Sequence, residues 1–462
     1  MFDPSIYEER RRRLKTAVAG GLILLLGNED SSMNYRDNLY PFRQDSTFLY
    51  FFGIDQPGVI GVIDVDNDTE CLFGDDLTTE EMVWTGYKPP LKELANRAGV
   101  SAAMERIQVN LAVADAIVQK RKVHYLPPYR PEHIDLLDYL LGIDPSMIRR
   151  SVSIDLIRAV VAQRSYKSPA EIGEITTAVN TTVDMQLSAI RMAREGMTEA
   201  QIAGNLQSIA IGAGGHLSFP TILTMEGQIL HNGYGPAALR EGSMVLCDCG
   251  AETGMHYAGD LTRTFPVGKR FSGLQREIYE IVFAAHQAAV DWLKPGVLFI
   301  DIHRHACEKL VEGLQQLKIM KGDVKEAVAT GAHALFFPCG LGHMMGLDTH
   351  DMENLGEPFV GYDESVKKST QFGLKSLRLG KRLEEGFVIT VEPGLYFNPG
   401  LIEEWAAEKR GEAFINFDRL EKFMDAKGVR IEEDFVITAE GKKLLGKPLA
   451  KAPAEIENLK LA

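Results

Sequence analysis

Alternating and continuous apolar runs divide the chain into two halves of different texture. A basic stretch from Arg10 to Arg13 opens an amphipathic helix, and residues 22–26, Leu-Ile-Leu-Leu-Leu, read as a buried strand. Residues 59–65 and 70–73, joined by Asp66-Asn67-Asp68, predict a hairpin. Helical periodicity returns at residues 91–98 and 112–120, and Pro127-Pro128-Tyr129-Arg130-Pro131 punctuates the chain beyond them. A new helix starts at Lys167-Ser168-Pro169-Ala170-Glu171, with Ser168 as N-cap and Pro169 in the first turn. The expected organisation is an α/β N-terminal domain over residues 1–165 and an α+β domain over residues 166–462.

The second domain echoes itself. The segment from Glu241 reads Glu-Gly-Ser-Met-Val-Leu-Cys-Asp-Cys-Gly, and the one from Glu385 reads Glu-Gly-Phe-Val-Ile-Thr-Val-Glu-Pro-Gly. Each carries a carboxylate seven residues after its first Glu. Upstream, Glu171-Ile172 with Ile175 and Ala178 matches Glu277-Ile278 with Ile281 and Ala284, and each stretch leads to a glycine, Gly196 or Gly296. Two degenerate copies are too few for a solenoid. They predict a pseudo-twofold pair of helix-helix-strand-strand units, which would bring one carboxylate pair from each copy to a shared axis.

Those strands carry charge where a strand should be apolar. Alternation in Val245-Leu246-Cys247-Asp248-Cys249 places Asp248 on one face and both cysteines on the other. Glu392 ends the apolar run Val388-Ile389-Thr390-Val391. A carboxylate buried alone is very costly, so each must be paired or metal-bound. Three further segments hold ligand-type side chains: Asp260 in Ala-Gly-Asp-Leu-Thr-Arg, His343 in Gly-Leu-Gly-His-Met-Met-Gly, and Glu432 in Gly-Val-Arg-Ile-Glu-Glu-Asp. Four carboxylates and one imidazole brought together would repel one another without cations between them, and this much negative charge asks for two divalent ions.

The five motifs, in the order Asp, Asp, His, Glu, Glu, resemble the metal site of the pita-bread metallopeptidases, in particular the proline-specific branch of aminopeptidase P and prolidase. The resemblance spans about residues 168–446. It implies a pita-bread catalytic domain with a dinuclear site, usually manganese, and a bridging water or hydroxide. Asp248 then binds one ion, Asp260 and Glu432 bridge the two, and His343 and Glu392 complete the other. Oxygen-rich ligation with one imidazole suits Mn²⁺, and Co²⁺, Zn²⁺ or Fe²⁺ are compatible with the same donors. Glu392 is the implied general base. His231 matches a histidine near the scissile peptide, and His350 one that stabilises the tetrahedral intermediate or shuttles a proton. Arg430, two residues before Glu432 on the same strand face, can orient a ligand carboxylate, and it joins His231, His350 and Arg378 as a candidate substrate-binding residue. Residues 43–53 resemble the creatinase/prolidase N-terminal domain, which carries no ligands and mediates homodimer or homotetramer contacts in that family.

The chain also departs from the pattern. Asp248 and Asp260 are twelve residues apart, one more than usual for the family, so the connection over residues 251–257 is expected to carry a bulge or longer loop. Many aminopeptidases P have a histidine four residues before the ligand histidine, where this chain has Cys339. By contrast, Gly373-Leu374-Lys375-Ser376-Leu377-Arg378 and the 40-residue gap from Glu392 to Glu432 look like prolidase. In prolidases an arginine at the position of Arg378 receives the carboxylate of a dipeptide; the alternative is a surface salt-bridge residue. An Xaa-Pro aminopeptidase and an Xaa-Pro dipeptidase therefore both stand, acting on peptides with proline second. A metal-free amidinohydrolase or a non-catalytic peptide-binding module of the same fold would have lost ligands that are all present here.

Composition narrows the setting. At 462 residues, 45% apolar and 25% charged, the chain fits a two-domain globular enzyme. Its net charge of −14 gives nucleic-acid binding no support. The five scattered cysteines suit reduced thiols in the cytoplasm, and Cys247-Asp248-Cys249 lacks the second pair a zinc knuckle needs. The leader-like stretch of residues 10–26 is interrupted by Lys15 and has no cleavage motif. No apolar run reaches the roughly 18 residues of a membrane span.

Overall fold

In a computed structural model, which describes residues 1–461, the chain divides into two compact units. One comprises Met1–Arg164 with Asn354–Phe359, and the other Ser165–Glu353 with the chain from Val360 onward.

The first unit is built on a mixed sheet of five strands: β1 (Leu22–Leu26), β2 (Ile60–Asp64), β3 (Thr69–Phe73), β4 (Ala102–Met104) and β5 (Val123–His124). Their order is β4-β3-β2-β1-β5, antiparallel at β1–β2 and β2–β3 and parallel at both outer pairs. Leu22 through Leu25 are all buried, and Leu24 faces Val62 across the ladder. The basic helix precedes this strand as Pro4–Ala17, capped by the Asp3 side chain. Its charges do not all face water. Arg10 and Arg11 turn inward, and Arg11 donates to Glu70 at 2.6 Å and to the carbonyls of Phe51 (2.8 Å) and Gly99 (3.0 Å). A guanidinium can be buried this way because its fork of donors is met by a carboxylate and two carbonyls.

In the second unit the repeat in the sequence is a repeat of backbone. Helices Pro169–Met192 and Glu199–Gly212 form one pair, and Gly273–Asp291 and Phe299–Gln316 the other. Ser168 with Glu171 and Ser272 with Gln275 close equivalent capping boxes. Gly196 (φ 85°) and Gly296 (φ 87°) make equivalent left-handed turns between the helices of each pair, a conformation that costs glycine little.

Strands β6 (His216–Leu217), β7 (Ile222–Thr224), β8 (Met244–Cys249), β9 (Ala251–Glu252) and β10 (Leu261–Pro266) follow the first pair. Strands β11 (Val388–Val391), β12 (Gly394–Tyr396), β13 (Gly428–Arg430), β14 (Glu433–Thr438) and β15 (Gly441–Leu444) follow the second. Strand β8 lies between β7 and β10, and β14 between β11 and β15. The antiparallel pairs β8–β10 and β11–β14 are stitched together. Glu432 N–H donates to the Thr262 carbonyl at 3.1 Å, and Arg430 N–H to Thr264 Oγ1 at 3.1 Å.

The connection from Asp248 to Asp260 forms β9, which pairs with β6, and then a turn. That turn is closed by Thr253 N–H on the Tyr257 carbonyl, with His256 at φ 66°. Beyond β15 a further helix, Pro453–Leu461, packs onto the unit, with Ile456 fully buried. Lys460 Nζ donates to the carbonyls of Ile190 and Ala193, which the C-terminus of the long first helix leaves without intrahelical partners. Among the described residues no helix is long and apolar enough to cross a membrane.

Candidate metal centre

The ends of the two central strand pairs deliver four carboxylates. Asp248 lies within β8 and Asp260 immediately precedes β10; Glu392 immediately follows β11 and Glu432 immediately precedes β14. The alternation expected in β8 is seen directly. Cys247 and Cys249 share one face, their sulfurs 4.0 Å apart, while Asp248 meets Arg430 on the other side. His343 comes from a loop bound along β11, where its N–H donates to Thr390 Oγ1 and its carbonyl accepts from Thr390 N–H.

These five side chains line one cavity of about 370 Å³. Ligand atoms of Asp260, His343 and Glu432 lie within 4.8 Å of one another. His343 Nε2 is 3.5 Å from Asp260 Oδ2 and 3.6 Å from Glu392 Oε1. The other ring nitrogen, Nδ1, lies 3.0 Å from the Met344 carbonyl. A carbonyl only accepts, so Nδ1 carries the proton and Nε2 presents its lone pair to the carboxylates, the tautomer a metal ligand needs.

Surrounding groups fix the carboxylates without satisfying them. Arg430 donates to Asp248 Oδ2 at 2.5 Å and to the Tyr396 hydroxyl at 2.8 Å. Thr262 Oγ1 donates to Glu432 Oε2 at 2.6 Å, and Asp260 N–H to Asp434 Oδ2 at 3.1 Å. Asp248 Oδ1 and Asp260 Oδ1 remain buried with no hydrogen-bond partner. Burial, then neighbouring carboxylates, pushes Asp260 and Glu432 well above the usual carboxylate range. Burial also raises Glu392, although His343 and Arg430 pull against it. One arginine cannot balance four carboxylates. Unmet carboxylate oxygens beside a lone-pair nitrogen suit divalent cations with a preference for oxygen.

His231, His350, Arg378 and Arg430 line the same cavity, so all the residues singled out from the sequence are brought together. Arg430 is committed to Asp248, Tyr396 and Thr262. His350 stacks edge-on to His343, ring centroids 4.4 Å apart. Burial lowers its pKa to about 4, with His343 adding to the effect and Glu353 opposing it. Burial likewise lowers His231, followed by the charge of Arg430. Cys339 also lines the cavity.

Sequence reasoning missed Glu353. Its Oε2 lies 2.6 Å from His350 Nδ1, and its Oε1 accepts from Arg378 Nε at 3.3 Å. The signal was its position three residues after His350. Asp434 was missed as well, two residues beyond Glu432, the spacing that puts two side chains on one strand face.

Residues 173–439 match metallopeptidase family M24, and residues 7–125 match the aminopeptidase P N-terminal domain. The chain is 30% identical to the Xaa-Pro dipeptidase of Homo sapiens, over 95% of this chain and 88% of that one. It is 31% identical to the Xaa-Pro aminopeptidase of Escherichia coli strain K12, over 99% and 97% of the two chains. Its fold is similar to that of zinc-substituted E. coli aminopeptidase P in complex with product, with a TM-score of 0.81, 28% identity, and coverage of 100% and 98%.

Proposed function

The chain belongs to metallopeptidase family M24, and we propose that it hydrolyses the bond between an N-terminal residue and a following proline. Two divalent ions would be held by Asp248, Asp260, His343, Glu392 and Glu432, with Asp260 and Glu432 shared between them, and manganese is the proposed metal. The observation that carries this reading is the convergence of five ligand side chains, two of them with unpartnered buried oxygens, on one cavity. The ions, when bound, supply Lewis acidity toward the scissile carbonyl and lower the pKa of water.

The chain's own residues divide the remaining work. Glu392 is the proposed general base. Its side chain is 20% exposed toward the cavity, against 12% for Asp248 and 6% for Asp260, so it is the best placed of these three to take a proton from the attacking water. His350 donates from Nδ1 to Glu353 and is neutral, which leaves Nε2 to accept a proton and pass it toward the leaving proline nitrogen. His231 orients the scissile peptide from the cavity wall. Arg378 gives one donor to Glu353 and keeps its others for a substrate carboxylate.

We place aminopeptidase action on longer peptides first. Arg378 on the cavity wall favours a second reading, a dipeptidase that measures its substrate by the C-terminal carboxylate. Hydrolysis of Ala-Pro against Ala-Pro-Ala by the Mn²⁺-loaded protein separates the two. Cleavage of the tripeptide supports the aminopeptidase, cleavage of the dipeptide alone the dipeptidase, and cleavage of neither contradicts both. A cytoplasmic homodimer or homotetramer is part of the same proposal, resting on the resemblance and the scattered thiols. Light scattering on the purified protein tests the assembly.

A further inference from the structure

A second buried ligand cluster lies outside the catalytic cavity. Helix Phe299–Gln316 carries His303 and Cys307, four residues apart and therefore on one face. The short turn Ala332–Leu335 brings His333 against them. All three are buried, and one ligand atom from each lies within 4.8 Å of the others. His303 Nε2 is 3.5 Å from Cys307 Sγ. That is about the separation of sulfur and nitrogen ligands on one metal ion, given bonds of roughly 2.3 and 2.0–2.1 Å.

Ordinary core packing does not account for these imidazoles. The Cys307 thiol meets His303 Nε2, but His303 Nδ1 and both ring nitrogens of His333 have no hydrogen-bond partner. The Ala327 carbonyl lies near enough to act on one ring N–H of His333, which still leaves the lone pair of the other ring nitrogen unmet. The Phe337 ring, 5.7 Å from that of His303, adds an apolar wall. Each unmet buried polar atom costs about 1–3 kcal/mol. An ion would take the His333 lone pair, which nothing else in the fold engages.

We propose that His303, Cys307 and His333 form a three-coordinate site for one monovalent, thiophilic cation, Cu⁺. Charge selects the ion. The ligand set holds one thiolate, two neutral imidazoles and no carboxylate, so a monovalent ion leaves the buried site neutral, whereas Zn²⁺ would leave an uncompensated positive charge. Of the neighbouring groups that act on Cys307, Cys339 is a thiol that burial pushes up to about 12 and so keeps neutral, and Arg304 and Glu308, which flank the site along the helix, are of opposite sign. Thiolate ligation also favours Cu⁺ among biological cations. On binding, the Cys307 S–H bond breaks, a Cu–S bond forms, and the proton passes to solvent with no change of oxidation state. The ion would tie helix Phe299–Gln316 to the segment that runs on to His343.

The test is anaerobic Cu⁺ titration of the full-length, Mn²⁺-loaded protein against bathocuproine disulfonate, with Cys307→Ser and His333→Phe compared. The wild type should take one Cu⁺ from the chelator, and its X-ray absorption spectrum should show one sulfur and two nitrogen neighbours. Each variant should bind at least ~100-fold more weakly. Equal retention by wild type and Cys307→Ser, or a spectrum with two sulfur neighbours, would overturn the site. Tighter binding of Zn²⁺ than of Cu⁺ at the same residues would overturn the choice of ion. The wild-type spectrum decides the matter even where a variant fails to fold.

Discussion

Glu353 accepts a hydrogen bond from His350 Nδ1 at 2.6 Å, three residues back along the same turn. Its other oxygen holds Arg378, so one carboxylate fixes both the proposed proton carrier and the proposed substrate clamp. The His350 bond, followed by the charge of Arg378, holds the Glu353 carboxyl down at about 2 against the effect of its burial. It is therefore ionised across the working range, and Nδ1 remains a donor.

Glu353→Gln should lower kcat/KM roughly 10-fold or more while leaving the metal content unchanged, since groups that orient catalytic imidazoles typically contribute on that scale. The pH–rate profile should shift as well, because His350 loses the neighbour that opposes its depression. Unchanged kinetics and an unchanged profile would reduce Glu353 to a surface ion-pair residue.

Asp260→Ala and Glu432→Ala each remove a proposed shared ligand. Activity should fall by at least ~1,000-fold, as expected for losing several kcal/mol of Lewis-acid stabilisation. Metal analysis should find fewer than two ions per chain, with the far-ultraviolet circular dichroism of a folded protein. Near-full activity in either variant contradicts the bridging assignment.

Lys167 and Asp351 form a buried ion pair at 2.8 Å, with side chains 2% and 1% exposed. Lys167→Met strips Asp351 of this cation beside His350, and should cost about 3 kcal/mol of unfolding free energy. Denaturant unfolding measures it; a loss under about 1 kcal/mol, within the range of exposed pairs, would show that the pair contributes little.

Burial pushes His286 down to about 3, although Glu433 Oε2 lies 3.8 Å from its Nε2. Between about pH 6.5, where a histidine titrates in the unfolded chain, and about pH 3, the unfolded state binds the extra proton. Stability therefore falls as pH drops through that window, by at most about 1.4 kcal/mol per unit from this group. The stability of wild type minus that of His286→Gln should decrease by more than about 1 kcal/mol between pH 7 and pH 4. A constant difference would show that His286 protonates in the folded protein.

Much of the metal centre was legible in sequence because its ligands break a local rule. Asp248 and Glu392 put carboxylates into apolar strand runs at equivalent places of an internal repeat, and both line the cavity. The second layer was less legible because its contacts join segments far apart in the chain. Nothing near Thr262 marks it as a donor to Glu432, 170 residues away; Arg430 was legible as a residue that orients a ligand carboxylate, but not which one, Asp248. Burial of charge misled in the other direction. The basic N-terminal helix reads as amphipathic, yet its charged Arg11 is buried among carbonyls from Phe51 and Gly99, acceptors that no local pattern supplies. Lys460 is a similar case: it caps carbonyls at the end of a helix some 270 residues earlier, a contact no local pattern announces.

The most direct test is to strip the protein of metal and titrate it with Mn²⁺ while following cleavage of Ala-Pro-Ala and Ala-Pro. The account predicts negligible cleavage without metal, and activity on an Xaa-Pro bond that rises to a plateau at two ions per chain. Full activity in the stripped protein, or no cleavage of either peptide at any metal level, would contradict it.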